Sequence, residues 1–194
     1  VKRRAPLLAV GLAGLLATAG CAGTVPTEDP AAAVSRDDGL VQPGTVHLGG
    51  SSVDESRPVV LRAQQLYAFW NTGDASWLEL AVDDSFLDRT LPEGRPQGPE
   101  GPIAASEQFR AAVPDLACSL DDLYVTGDTF TARLTFTGHF TGVSGGVQGE
   151  GRPIEFGAID IQHIGASGRI VEDWHLEDDL TFQQQAGLLP EPTS

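Results

Sequence analysis

The second half of the chain alternates hydrophobic and polar residues with a period of two, which predicts strands over Ala117–Val125, Phe130–Phe140, Ile154–Ile164 and Arg169–Asp179. Gly127-Asp128 and the Gly165–Gly168 stretch are tight turns between them, so neighbouring strands are antiparallel. In the Phe130 strand one row carries Ala132, Leu134, Phe136 and Phe140, and the opposite row Arg133, Thr135, Thr137 and His139. The last strand divides into Ile170, Glu172, Trp174, Leu176 and Asp178 on one face and Val171, Asp173, His175, Glu177 and Asp179 on the other. A sheet wet on one side turns the first, more apolar row inward, leaving Asp178 among apolar neighbours at the strand's end and Glu172 as a rival acid on the same face. The Ile154 strand is untidy, because Asp160 and Gln162 share a row with Ile154 and Phe156 while Ile159 and Ile161 oppose them. A bulge, or burial of both faces at a homodimer interface, explains that pattern.

The first half has helical spacing. Pro58 suits a first turn after Ser56, and Val60, Ala63, Tyr67 and Trp70 then form one stripe, flanked by Val59 and Leu66. Asn71-Thr72-Gly73 is a stop, and Asp74 caps a second short helix with Trp77, Leu78, Leu80 and Ala81. Leu91–Pro102 reads as a Pro/Gly loop before a helix over Ile103–Ala112. Helices followed by strands predict an α+β domain with a curved antiparallel sheet partly wrapped around the helices. Tyr67 faces inward in this scheme, and a buried hydroxyl needs a partner.

The N-terminus alters the domain plan. Lys2-Arg3-Arg4, an apolar run from Ala5 to Ala19 and small residues before Cys21 resemble a bacterial lipoprotein signal. The expected organisation is a signal over residues 1–20, a lipidated Cys21 and disordered tether over 21–56, a folded domain over 57–189, and a tail over 190–194. Export would follow, with the lipid holding the protein on the extracytoplasmic side of the membrane. The formal charge is −15, and removal of the signal takes away the single lysine. So acidic a chain, without a basic patch, excludes nucleic acid as a partner. Cys118 reads as a small buried hydrophobe, since no base stands near it to activate it. Gly142–Gly151 precedes a strand and lacks the lysine and helix of a phosphate cradle. The charged row of the last strand reads as a solvated face, because side chains two apart diverge too far to share a metal ion. No cofactor is implied.

Several ordered pieces are similar to one family. Trp70-Asn71-Thr72-Gly73-Asp74, Gly98-Pro99-Glu100-Gly101, Val113-Pro114-Asp115-Leu116, Thr137-Gly138, Gly151-Arg152 with Glu155-Phe156, Gly168-Arg169-Ile170-Val171-Glu172 with Trp174, and Gln184-Gln185-Ala186-Gly187 resemble the SnoaL-like polyketide and ester cyclases of the nuclear transport factor 2-like superfamily, from about Val59 to Gly187. The resemblance implies a cone-shaped α+β fold around an apolar pocket, lined by Trp70, Leu134, Phe136, Phe140, Glu172, Trp174 and Leu176. It implies Asp178 as the acid/base aspartate of an intramolecular aldol closure, with Tyr67, or else Tyr124, as donor to the enolate oxygen. The chain departs from the family at Phe140, where relatives carry an inward histidine, and at His163, where many carry arginine.

Three functions fit: an acid/base enzyme acting on a small carbonyl compound, a lipid-tethered binder of a small apolar or carbonyl-bearing ligand, and a dimerising domain with a filled core.

Overall fold

The computed structural model describes residues 28–189, so the signal, Cys21 and the tail after 189 lie outside the described residues. After a 3₁₀ turn at Pro30–Ala33, the elements are β1 (Thr45–Leu48), α1 (Val53–Thr72), α2 (Ala75–Ala81), β2 (Val82–Asp88), α3 (Glu100–Ala112), β3 (Ala117–Thr126), β4 (Thr129–Phe140), the hairpin β5 (Val143–Ser144) and β6 (Val147–Gln148), β7 (Arg152–Ile164), β8 (Ile170–Glu177) and α4 (Asp179–Ala186). One six-stranded sheet runs in the order β1-β3-β4-β7-β8-β2, antiparallel in the middle and parallel at each edge strand. This is the α+β fold expected.

The stretch expected to be a tether belongs to the domain from residue 28 onward. Ala33 and Val34 are buried. The buried Gln64 amide receives the Ser35 N–H and donates to the Ser35 and Val41 carbonyls, fastening the segment to α1. β1 then pairs with β3 and covers that sheet edge, a device against edge-to-edge association. Helix α1 starts at Val53, earlier than Pro58 suggested, because Ser52 and Glu55 form a reciprocal capping box. Gly73, at φ 72°, ends the helix in the left-handed conformation that glycine adopts at least cost.

The helical stripe packs as predicted. Val60, Ala63 and Tyr67 are buried in one core with Leu120, Leu123, Leu134 and Phe130, and Trp70 is partly buried against it; Phe69, outside the expected stripe, is buried as well. The sequence reading missed β2, whose Asp-rich run pairs in parallel with β8, and also the hairpin in the glycine loop. Gly142 at the hairpin's base lies so close to α3 that a Cβ would stand 1.8 Å from the Ala111 carbonyl oxygen. The α4 helix leaves β8 and lays Gln185 along the free edge of β7, where its amide accepts from the Glu155 N–H and donates to the Glu155 carbonyl.

The row assignment of β8 is corrected. Ile170 pairs with Ile164 but Glu172 pairs with His163, so Val171 is an extra residue in the ladder. Such a bulge reverses every side chain beyond it. Asp173, His175 and Glu177 therefore turn inward, while Trp174 and Leu176 are 39% and 74% exposed on the outer face. β7 alternates without interruption, with Asp160 and Gln162 buried and Ile159 and Ile161 outside.

Candidate active site

A cavity of about 530 Å³ opens between the sheet's inner face, α3 and α4, which overturns the filled-core reading. Its apolar wall is aromatic: Trp70, Phe86, Phe109, Phe136, Phe156 and Phe182. Phe136 and Phe156 stack with ring centres 5.3 Å apart, and Phe109 and Phe182 lean on Phe156. These rings come from α1, β2, α3, β4, β7 and α4, so the cavity requires the whole fold.

The opposite wall is polar and is built by two facing strands. Asp160 lies directly across the ladder from His175, and Gln162 across from Asp173. Inward residues two apart on each strand make a four-cornered floor, whose diagonal neighbours lie about 7–8 Å apart at the backbone, within reach through their side chains. Burial pushes Asp160 up to about 7, against the pull of the Tyr67 hydroxyl, which donates to its Oδ2 at 2.9 Å. Burial, then the charge of Asp160, pushes Asp173 up to about 8. Asp173 Oδ1 and Gln162 Oε1 are buried with no hydrogen-bond partner, which is consistent with a carboxyl that holds its proton.

His175 is fixed as a cation. Its Nδ1–H donates to Glu177 at 2.8 Å and its Nε2–H to Asp88 at 3.1 Å, and the bond to Glu177 leads in raising it to about 10. With both nitrogens occupied as donors it cannot accept a proton, and it serves as a fixed positive charge beside Asp160. Asp88 also accepts from the Thr90 N–H and hydroxyl, and its backbone N–H and carbonyl are clasped by the Gln97 amide. That clasp holds the loop after β2, which brings Pro92 and Arg95 to the cavity.

The residues singled out in the sequence divide. Trp70 and Phe136 line the cavity, Phe140 packs behind it on Phe182, and Leu134 is buried in the core rather than lining the cavity. Tyr67 is fully buried, but its hydroxyl is committed to Asp160, so it orients that carboxylate instead of donating to a ligand. Tyr124 is exposed and stacks on His47 outside the sheet. Glu172 pairs with Arg89 away from the cavity. Asp178 is corrected as the catalytic base: it is the N-cap of α4, accepting from the Thr181 N–H and hydroxyl, which lower it. Asp173 and His175 were missed because the bulge at Val171 hid their orientation, and Asp160 because a polar residue in phase with Ile154 and Phe156 was read as the mark of a bulge or of a strand buried on both faces. The signal that could have found them was the pair of polar residues, Asp160 and Gln162, in phase with Ile154 and Phe156. Among the described residues no group of three His, Cys, Asp or Glu side chains is placed to hold a metal ion.

The comparisons agree with this architecture. The model of the SnoaL-like polyketide cyclase family matches residues 60–186. A candidate polyketide cyclase of Bacillus cereus is 42% identical, with a TM-score of 0.72 over 81% of this chain and 99% of that one. TsrD of Streptomyces laurentii is 32% identical, with a TM-score of 0.62 over 68% of this chain and 96% of its own. IdmH of Streptomyces antibioticus, a candidate polyketide cyclase, is 27% identical, with a TM-score of 0.60 over 68% and 99%. No curated protein matches the sequence. With the family pattern running through both the helices and the strands that enclose the cavity, the chain belongs to the SnoaL-like polyketide cyclase family.

Proposed function

We propose that the cavity carries out acid/base proton transfer on a small, neutral carbonyl compound, closing a ring by an intramolecular aldol step. The observation that carries this reading is Asp160, a buried carboxylate titrating near neutrality beside a fixed imidazolium and facing a cavity walled by aromatic rings. A base poised near the working pH combines an available ionised form with useful basicity. The carboxylate of Asp160 takes a proton from the carbon next to a carbonyl, and the C–H electron pair passes to the carbonyl oxygen as an enolate. The positive field of His175 stabilises that charge. The enolate carbon then attacks a second carbonyl, the enolate oxygen returns to a carbonyl, and the new alkoxide takes the proton back from Asp160. Protons and electrons balance without a cofactor. Asp173, protonated near neutrality, provides a hydrogen-bond donor, and Tyr67 holds Asp160 in place.

The lipoprotein reading of Lys2 to Cys21 stands beside this as a proposal of location, under which the cavity would work outside the cytoplasm on a lipid tether. Incorporation of labelled palmitate that disappears in Cys21→Ser tests it.

The chemistry is tested by deuterium exchange. Wild-type protein should exchange α-hydrogens of a ketone or 1,3-dicarbonyl that it binds, and Asp160→Asn should bind the same compound without exchange. Equal exchange in both would remove Asp160 from the reaction. Occupancy without exchange in wild type would leave a binding protein.

A further inference from the structure

The loop between β2 and α3 brings to the cavity a charged side chain that the proposed proton transfer leaves unused. Arg95 lines the cavity beside Pro92, half-buried, and its guanidinium has no hydrogen-bond or ion-pair partner among the described residues. The other cation in the lining, His175, is held between Glu177 and Asp88. Asp179, the first residue of α4, feels the Arg95 charge, which opposes the rise that burial and Glu177 impose on that carboxyl, yet the two side chains stay beyond ion-pair distance. The backbone that carries Arg95 is fixed from both sides. Its N–H donates to the Pro92 carbonyl at 3.2 Å, closing a turn, and Pro96 disfavours helical backbone at the residue before it. The Pro96 carbonyl presses on the start of α3, where a Cβ on Gly101 would stand 2.7 Å from its oxygen, and Gln97 grips the Asp88 backbone. Much of the entropy of ordering this arginine is therefore lost on folding, before a ligand arrives.

We infer that Arg95 is a second catalytic residue, holding the oxygen of the carbonyl that the enolate attacks; this rests on the aldol reading of the cavity. Charge argues for an oxyanion that exists only during the reaction. Five carboxyl groups line the cavity against two cations, so a substrate arriving as an anion is repelled. An enolate formed as Asp160 takes up a proton leaves the total charge of the cavity unchanged. When its carbon bonds to the second carbonyl carbon, the π pair of that carbonyl passes to its oxygen, and the negative charge moves away from His175 to a new alkoxide. Arg95 meets it there. A guanidinium has five N–H donors in a rigid fork and stays protonated throughout, so it supplies hydrogen bonds and field while the proton comes from Asp160. Such bonds strengthen as the charge develops, which is the condition for lowering the barrier rather than tightening the ground state.

The 1,5-diketone heptane-2,6-dione and its 4-phenyl analogue, whose ring suits the aromatic wall, separate the two steps on the full-length protein. Exchange of α-hydrogens needs Asp160, and ring closure needs the attacked oxygen as well; NMR in deuterium oxide follows both. Arg95→Gln is expected to leave exchange within about twofold of wild type and to slow closure on the order of 10²-fold, the loss that follows removal of one oxyanion donor. Arg95→Lys, which keeps the charge without the fork, is expected to recover part of the closure rate. Circular dichroism establishes that each variant is folded. Closure unchanged in Arg95→Gln would overturn the inference, and so would an equal loss of both steps, which would reduce Arg95 to a counter-ion of Asp179 or a prop of the loop. Wild-type protein that exchanges the diketones without closing them would overturn it while leaving Asp160 its role. Wild-type protein that does neither would remove the aldol reading itself, and this inference with it.

Discussion

Tyr67 of α1 donates its hydroxyl to Asp160 of β7 across the buried centre of the domain, 93 residues apart in sequence and 2.9 Å apart in space. The bond joins the helix that was legible from its stripe to the strand whose inner row was not. It also opposes the rise that burial imposes on Asp160. Removing it in Tyr67→Phe therefore raises the Asp160 pKa further. The acidic limb of the pH–rate profile for α-hydrogen exchange should move to higher pH, with exchange at pH 6–7 falling several-fold while ligand affinity changes little. Urea unfolding should show a loss of about 1–2 kcal/mol, the scale of one buried hydrogen bond. An unmoved limb would separate Tyr67 from the base.

Stability should fall as pH rises. Asp160 and Asp173 have folded-state pKa values of about 7 and about 8, above the ordinary carboxylate value, so the folded state binds more protons between about pH 4 and 8. Their contribution is fully present below their unfolded values and is lost as pH climbs through the folded ones. His175, raised to about 10, adds a contribution present below about 6.5 and lost towards 10. Thermal unfolding of the ligand-free protein should give a Tm that declines from pH 5 to pH 9. Asp173→Asn should flatten the slope between 5 and 8, and a Tm that rises over this interval would contradict the burial of these groups.

Replacing His175 by Gln removes the cation between Glu177 and Asp88 and leaves the buried Asp88 with one donor fewer. Breaking one side of a buried charge pair costs about 3–5 kcal/mol. Without the positive charge, Asp160 and Asp173 should also titrate higher, since His175 lowers both. Chemical denaturation together with carboxyl titration by NMR checks both effects.

Gln97 touches no part of the cavity floor yet grips the backbone of Asp88 from both sides. In Gln97→Leu the loop bearing Pro92 and Arg95 should loosen, raising KM or ligand Kd by several-fold at little cost to global stability. Tighter or unchanged ligand binding would show that the loop does not shape the entrance.

Asp178→Ala tests the discarded base. Loss of the α4 cap should cost about 1 kcal/mol, while binding and exchange persist. Abolished exchange in a folded Asp178→Ala protein would restore it.

The elements with a clean single-faced pattern were readable. The stripe Val60, Ala63, Tyr67 and Trp70 predicted a helix, and Ala132, Leu134 and Phe136 were correctly placed inside β4. The floor of the cavity was not readable, for two physical reasons. A functional cavity buries polar residues, so β7 puts Asp160 and Gln162 where a core strand would put leucines, and the outer row takes up isoleucines. Burial patterns on β8 also depend on Val171, and a bulge in a ladder is a property of the pairing, which neither strand's sequence states alone. The tether reading failed because its weak apolar residues, Ala33, Val34 and Val46, gain their stability from Gln64 and β3, partners distant in sequence.

The extra residue at Val171 makes the pairing of β8 a determinant of chemistry. Deleting Val171 would straighten the strand while keeping Ile170 opposite Ile164 and Glu172 opposite His163, so Asp173 and His175 would still face the cavity. Keeping Val171 but drawing it into the ladder opposite His163 would slide every later residue by one partner and present Glu172, Trp174 and Leu176 to the interior. A lineage that lost one residue before the tryptophan would therefore keep its inward acids, and one that lost the bulge alone would trade them.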